Sequence, residues 1–192
     1  QSKYALSVST KGKYQTIEAL RKAKGLKYAV TSPSSGAYVA GKIMASALGM
    51  DVKFLPGYKG SAKISLSIVR GDTQLSLFNT RSLAKWMKGG DLKAVLSFEP
   101  KSPFPGVPTA ASIGQKGLEL LTIERIVGTT PGVPKKIQKI LADALYATLT
   151  GPEMQAWHKK SKRPVDPLNQ ADTKKLINDL VVFYTKYKNV LK

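Results

Sequence analysis

The sequence predicts an α/β fold with a mostly parallel sheet, plus a helical C-terminal segment. Three observations predict it. Short apolar or alternating runs take turns with runs of helical period up to about residue 98. The corners that leave the strands are built from Ser, Thr, Asn and Gly. Beyond Pro134 the apolar spacing is helical only.

The elements follow in order. Tyr4-Ala5-Leu6-Ser7-Val8-Ser9 alternates as a strand does. Thr16 is a good N-cap for a helix carrying Ile17, Leu20 and Ala23, and Gly25 ends it. Residues 27–31 read as the next strand. Its corner, Thr31-Ser32-Pro33-Ser34-Ser35-Gly36, opens a helix over Gly36–Leu48 with Tyr38, Val39, Ile43, Met44 and Leu48 in period and Gly49 as its stop. Val52–Leu55 is a strand ending in Pro56-Gly57-Tyr58-Lys59-Gly60-Ser61. Residues 61–69 form a helix whose Ile64, Ile68 and Val69 face inward. Residues 75–78 form a strand that leaves through Asn79-Thr80-Arg81-Ser82. A short helix starts at Leu83 and closes at Gly89-Gly90, and residues 93–98 form another strand. The character then shifts: residues 100–108 hold four prolines in nine residues. Residues 118–127 read as an extended segment. Pro134 suits a first helical position, and Ile137, Ile140, Leu141, Ala144, Leu145 and Leu149 make one apolar stripe. Gly151-Pro152 breaks it. A shorter helix covers residues 153–160. The last helix, residues 169–191, carries Leu176, Ile177, Leu180, Phe183, Tyr184, Tyr187 and Leu191 on one side.

Composition excludes several chemistries. The chain has 192 residues, 42% of them hydrophobic, so one domain or two small lobes can form a core. It has no cysteine, which removes disulfides, thiolate metal sites and cysteine nucleophiles. No run is long and apolar enough to span a membrane, and no signal peptide is read. The start at Gln1-Ser2-Lys3-Tyr4, already close to a strand, is read as a processed form or a fragment. The net charge of +19 favours anions. The basic residues are dispersed, however, with only short clusters such as Lys159-Lys160-Ser161-Lys162-Arg163. No RNA-binding aromatic motif or zinc-finger spacing accompanies them, so no nucleic acid is expected. His158 is the single histidine and sits among lysines. There is no paired-carboxylate spacing, metal-ligand cluster, G-x-S-x-G elbow or P-loop. The expectation is therefore no enzyme, no catalytic residue, no metal and no cofactor.

Binding chemistry is better supplied. Ser34, Ser35 and Gly36 offer hydroxyls and amides at a helix N-terminus, where a carboxylate finds N–H groups and a positive dipole end. Gly57, Tyr58 and Lys59 offer amides, a stacking ring and a cation. Asn79 and Ser82 lie at a third corner. Such residues also belong in ordinary caps and turns. Three polar corners after three successive strands are what point to one shared site at the carboxyl ends of the strands.

The residues also resemble a family. Leu55-Pro56-Gly57-Tyr58-Lys59-Gly60-Ser61-Ala62 resembles the "pYKG" corner of the solute-binding proteins of tripartite tricarboxylate transporters. Val69-Arg70-Gly71-Asp72-Thr73-Gln74-Leu75 resembles the "GG-x-V-D" segment after it. Lys88-Gly89-Gly90-Asp91-Leu92-Lys93-Ala94-Val95 resembles "G-x-L-R-A-L". Gly106-Val107-Pro108-Thr109, with Ile113-Gly114, resembles "VPT…E-x-G", and Thr130-Pro131-Gly132-Val133-Pro134-Lys135-Lys136-Ile137 resembles "PAGTPKEIV". Order and spacing agree from about Leu6 to the C-terminus. No single motif is specific; the ordered set is.

The resemblance implies a type II periplasmic-binding-protein-like lobe. In that fold a hinge crossed twice joins two lobes, and a small carboxylate is closed between them. It implies a periplasmic or extracellular receptor, free or membrane-tethered, that hands ligand to membrane permease subunits. The N-terminal part of lobe one has no counterpart here. The implied division is a hinge-proximal strand (residues 1–7), a ligand-binding lobe (8–122), and a hinge crossing with helices that complete lobe one (123–192). A missing lobe segment or another chain would then be a partner. The family's "G-x-G-S-x-x-H" corner is replaced: Pro33 removes an N–H donor, and Tyr38 stands near the family's histidine. Ser34, Ser35, Gly36, Tyr58, Lys59, Asn79 and Ser82 are the expected contacts to a small organic anion. The competing reading is a sensing or scaffold module that binds a protein or an acidic polymer through its basic surface.

Overall fold

The computed structural model describes residues 2–161 and 166–191. Lys162 and Arg163 of the basic cluster lie outside the described residues, as does Gln1. The chain divides into two compact units. A sheet unit comprises Ser2–Ile123 together with the residues from Lys186 onward, and a helical unit comprises Glu124–Thr185.

The sheet unit holds β1 (Ser2–Ser9), α1 (Ile17–Lys22), β2 (Leu26–Ala29), α2 (Gly36–Leu48), β3 (Val52–Leu55), α3 (Gly60–Arg70), β4 (Leu75–Asn79), α4 (Thr80–Lys88), β5 (Leu92–Ser97) and the short β6 (Thr122–Ile123). Strand order is β3-β2-β4-β1-β5. β2 runs parallel to β3 and β4, while β1 runs antiparallel to β4 and β5. Four of these five strands therefore point one way, and β1 is the exception. β6 pairs with the start of β1, Ser2 facing Ile123 and Lys3 facing Thr122.

The sheet is covered by helices on both faces, as a parallel sheet requires. Ala29 belongs to a buried cluster with Ala5, Ile64, Ile68, Phe78 and Leu83, so α3 and α4 pack on that face. Tyr28, the preceding residue, points to the opposite face. There its ring lies 4.9 Å from Phe54, which in turn meets Tyr38 edge-on at 5.1 Å. α2 reaches these rings through Gly41. A Cβ there would stand 2.8 Å from the Tyr28 ring and 2.9 Å from that of Phe54, so only glycine fits. Buried hydroxyls stitch the middle strands together. Ser7 donates to the Ser76 carbonyl at 3.2 Å, and Ser76 donates to the Ala29 carbonyl at 2.8 Å.

Local signals explain the element ends. The Thr16 hydroxyl accepts from the Ala19 N–H and starts α1. Gly49 closes α2 in the left-handed region, at φ 64°. Three readings need correction. Val69 is 37% exposed and does not face the core, because α3 turns only Ile64, Ser65, Ser67 and Ile68 fully inward. The segment over residues 118–127 is not extended throughout. A tight turn over Leu118–Leu120 precedes the two residues of β6, and no regular element follows until α5. Pro134 is the N-cap of α5, with extended ψ of 140°, and not its first helical residue.

The helical unit contains α5 (Lys135–Thr150), α6 (Pro152–Ser161) and most of α7 (Gln170–Lys186). α5 has the predicted stripe but buries none of it. In α7, Phe183 is buried and meets Tyr184 edge-on at 5.3 Å, whereas Ile177 of the predicted inner side is exposed.

Candidate functional site

The strand order gathers the three polar corners. β3, β2 and β4 are neighbours running the same way, so their carboxyl ends share one end of the sheet. Ser34, Ser35, Gly36, Tyr58, Lys59, Asn79 and Ser82 all lie at that end.

The first two corners are joined directly. The Gly57 N–H donates to the Thr31 carbonyl at 3.1 Å and the Tyr58 N–H to the Val30 carbonyl at 3.2 Å. These bonds continue the β2–β3 ladder past the strands. They also correct an expectation: the Gly57 and Tyr58 amides are occupied and do not face a ligand. The donors at this corner shift along the chain. Lys59 caps α3 without a side-chain bond, so the first-turn amides of Ser61 and Ala62 lack intrahelical acceptors. Tyr58 is half-buried against the core cluster, and Lys59 is exposed.

At the first corner Ser35 is the N-cap of α2. Its hydroxyl donates to the Ser32 carbonyl at 2.7 Å and accepts from the Tyr38 N–H at 3.3 Å. Its own N–H goes to the Ser32 carbonyl at 3.1 Å, so of the predicted amides here Ser35's is occupied too. Helix geometry leaves the Gly36 and Ala37 amides at the mouth of the turn. Ser34 is exposed, its hydroxyl 3.1 Å from that of Ser32. At the third corner Asn79 Oδ1 accepts from the Ser82 N–H at 2.8 Å, capping α4. Asn79 thus serves the helix first.

Two features at this end escaped the sequence reading. Tyr4 enters from the start of β1, facing Asn79 in register. Tyr28 is fully buried, and its hydroxyl donates to the Ala37 carbonyl at 3.0 Å while accepting from the Leu77 N–H at 3.0 Å. Burial holds the Tyr28 hydroxyl well above the ordinary tyrosine range, so it stays a neutral donor. No local signal marks either residue, because both arrive through strand pairing.

Two clefts of the sheet unit lie away from these corners and include none of the seven expected contacts. One, of about 460 Å³, is lined by Val8, Ser9, Lys13, Lys24, Leu26 and Gln74, at the opposite end of β2 and β4. Three of its backbone donors are already taken: Gly25 N–H by Asp51, Lys27 N–H by the Gln74 side chain, Gln74 N–H by Lys27. The other, of about 550 Å³, runs along β5 between Ile17, Met87 and Pro105. Among the described residues no group of three or more His, Asp or Glu side chains could hold a metal, and no helix is long and apolar enough to cross a membrane.

Comparison with known proteins gives a consistent result. Among solved structures, a TctC solute-binding protein from Polaromonas matches with a TM-score of 0.70 at 18% identity, covering 95% of this chain and 64% of that one. An R. palustris protein solved with adipate matches with a TM-score of 0.70 at 19% identity, covering 98% and 65%. MatC from Rhodopseudomonas palustris, solved with malate, matches with a TM-score of 0.67 at 15% identity, covering 100% and 67%. These likenesses establish a periplasmic-binding-protein fold. The chain spans 64% and 65% of the length of the first two. A search of curated proteins returns no match. The profile of the tripartite tricarboxylate transporter family receptors matches residues 7–190. The match runs through the whole α/β alternation and all three helices of the C-terminal segment, and the chain belongs to that family of receptors.

Proposed function

We propose that the chain is the greater part of an extracytoplasmic receptor that captures a small organic carboxylate and passes it to a tripartite tricarboxylate-type transporter. The observation that carries this reading is the gathering of three hydroxyl- and amide-rich corners at the carboxyl ends of β2, β3 and β4. Two structural neighbours hold adipate and malate, both dicarboxylates, which agrees with that chemistry. Membership of a receptor family supports binding without turnover.

In this reading Gly36 and Ala37 give amides to a carboxylate, with Ser34 and Ser35 hydroxyls beside them. Tyr58 and Lys59 wall the cleft, and Asn79 Nδ2 and the Ser82 hydroxyl bind the distal polar group. The sheet unit is one lobe, residues 123–192 return towards the other, and closure of a second wall over the corners completes the site. That wall comes from a further segment or another chain. Transfer to permease subunits, outside the cytoplasm, follows release from the open form. The net charge of +19 draws anions in, an effect that salt weakens.

Amide NMR titration of the ¹⁵N-labelled chain with adipate, malate and citrate tests this. The resonances of Gly36, Ala37, Ser61 and Ser82 are expected to move together, with weaker affinity at higher salt. If these amides stay still while poly-glutamate or nucleic acid binds, the receptor reading fails and the basic scaffold reading replaces it.

A further inference from the structure

Gly36 is the first residue of α2, and its backbone does not lie in the left-handed region that would favour glycine. Space is what requires it. A Cβ at Gly36 would stand 3.0 Å from the Tyr4 hydroxyl oxygen, tighter than ordinary carbon–oxygen contact. Tyr4 has little freedom to give way. It is 4% exposed, pairs with Asn79 across the β1–β4 ladder, and accepts at its carbonyl from the Phe98 N–H at 3.1 Å. Tyr4 therefore stands between the α2 corner and the α4 corner, with its hydroxyl against the first turn of α2.

The same turn is held from a second side. The Tyr28 hydroxyl donates to the Ala37 carbonyl, and Tyr28 is itself fixed by the Leu77 N–H. The two amides left over at the α2 N-terminus thus belong to residues that each have a buried phenol beside them. Gly36 has the Tyr4 hydroxyl filling the space where a side chain would stand, and Ala37 is held by a hydrogen bond from Tyr28. Two amides hold one carboxylate well only if both aim at the same point before it arrives.

We infer that Tyr4 is a positioning residue for the carboxylate corner, its hydroxyl filling the space beside Gly36 and so setting the depth and direction of the Gly36 and Ala37 amides. This rests on the carboxylate reading of the same corner. Tyr4→Phe keeps the ring but leaves a gap beneath Gly36, into which the turn relaxes. Gly36→Ala pushes the turn away from Tyr4. Together the two changes are complementary, because the alanine methyl meets the bare ring at ordinary van der Waals distance.

The test is a double-mutant cycle read by adipate titration of the labelled chain, with thermal melting measured alongside. Each single substitution is expected to weaken adipate about 3- to 10-fold, in the range of a contact-mediated coupling. Tyr4→Phe should also lower the melting temperature, since it removes a buried hydroxyl, but its loss of affinity should exceed what the unfolded fraction at the titration temperature accounts for. The double variant should return to within about 2-fold of the wild type, since the coupling offsets both losses. Singles that shift melting but not affinity would mean a packing contact only, and the inference would fall. A double variant no better than the worse single would also overturn it. If the wild type responds to adipate but the cycle is additive, only this inference fails. If the Gly36 and Ala37 amides of the wild type do not respond at all, the carboxylate reading fails and takes the inference with it.

Discussion

Tyr28 ties three elements together through one hydroxyl. The group is buried, donates to Ala37 in α2 and accepts from Leu77 in β4, and its ring fills the space beside Gly41. Burial raises its pKa above the unfolded value of about 10. Tyr184, half-buried in the helical unit, is raised in the same direction, by burial first and then by the negative charge of Glu124. The sign for stability follows from linkage. A group with a raised folded pKa contributes stability in full below its unfolded pKa. That contribution is lost as pH climbs from about 10 through the folded value, because the unfolded chain ionises first. Denaturant unfolding between pH 8 and pH 12 should therefore show stability falling above pH 10, with a shallower fall for Tyr28→Phe. The same variant should cost about 1–3 kcal/mol at neutral pH, since the Leu77 N–H and Ala37 carbonyl lose their buried partner. Equal slopes in the two proteins would remove Tyr28 from the account.

Elements with signals at both ends were legible from sequence. Ser35 and Gly49 bracket α2, and its bounds, Gly36–Leu48, are those that the spacing predicts. The parallel strands and their polar corners followed from alternation and turn chemistry alone. What stayed hidden depends on pairing between distant segments. The loss of the Gly57 and Tyr58 amides comes from the extension of the β2–β3 ladder, and a corner read alone cannot show that its donors are consumed by its neighbour. Tyr4 lies near these corners because β1 runs antiparallel, which brings the start of a strand among the ends of the others. Residues 118–127 misled because apolar alternation is equally consistent with a tight turn followed by a very short strand. At Gly41 the helix, not the residue, sets the requirement: α2 lies close enough to the sheet for its backbone to meet two aromatic rings. Gly41→Ala gains helix propensity but must displace Tyr28 or Phe54. It should destabilise the chain by about 1–3 kcal/mol, the usual cost of overpacking, seen as a lower urea midpoint at unchanged m. A neutral or stabilising Gly41→Ala would mean that α2 does not seat this closely.

The helical unit presents an apolar surface to solvent. On α5, Ile137, Ile140, Leu141 and Leu145 are all exposed, and their spacing places them on one stripe. On α7, Val181 and Val182 are exposed as well, Val182 at 72%. α5 buries no residue at all, although its amphipathic pattern is that of a helix with a partner. Contiguous apolar patches of this kind mark interaction surfaces. The structural neighbours extend beyond this chain, which covers 64% of one and 65% of another, so they contain material from which a cover can come. The 192-residue chain by itself should then show the patch in solution. It should enhance the fluorescence of 1-anilinonaphthalene-8-sulfonate and self-associate as concentration rises, and high salt should promote that association by screening the charge of +19. Ile140→Glu with Leu141→Lys should suppress both effects. It should change stability by no more than about 0.5 kcal/mol, because neither side chain is buried to begin with. Sedimentation velocity of the two proteins at matched salt separates the outcomes. A wild-type chain that stays monomeric and dark to the dye, with slow amide exchange along α5, would mean that the stripe is already covered from within and needs no cover from outside.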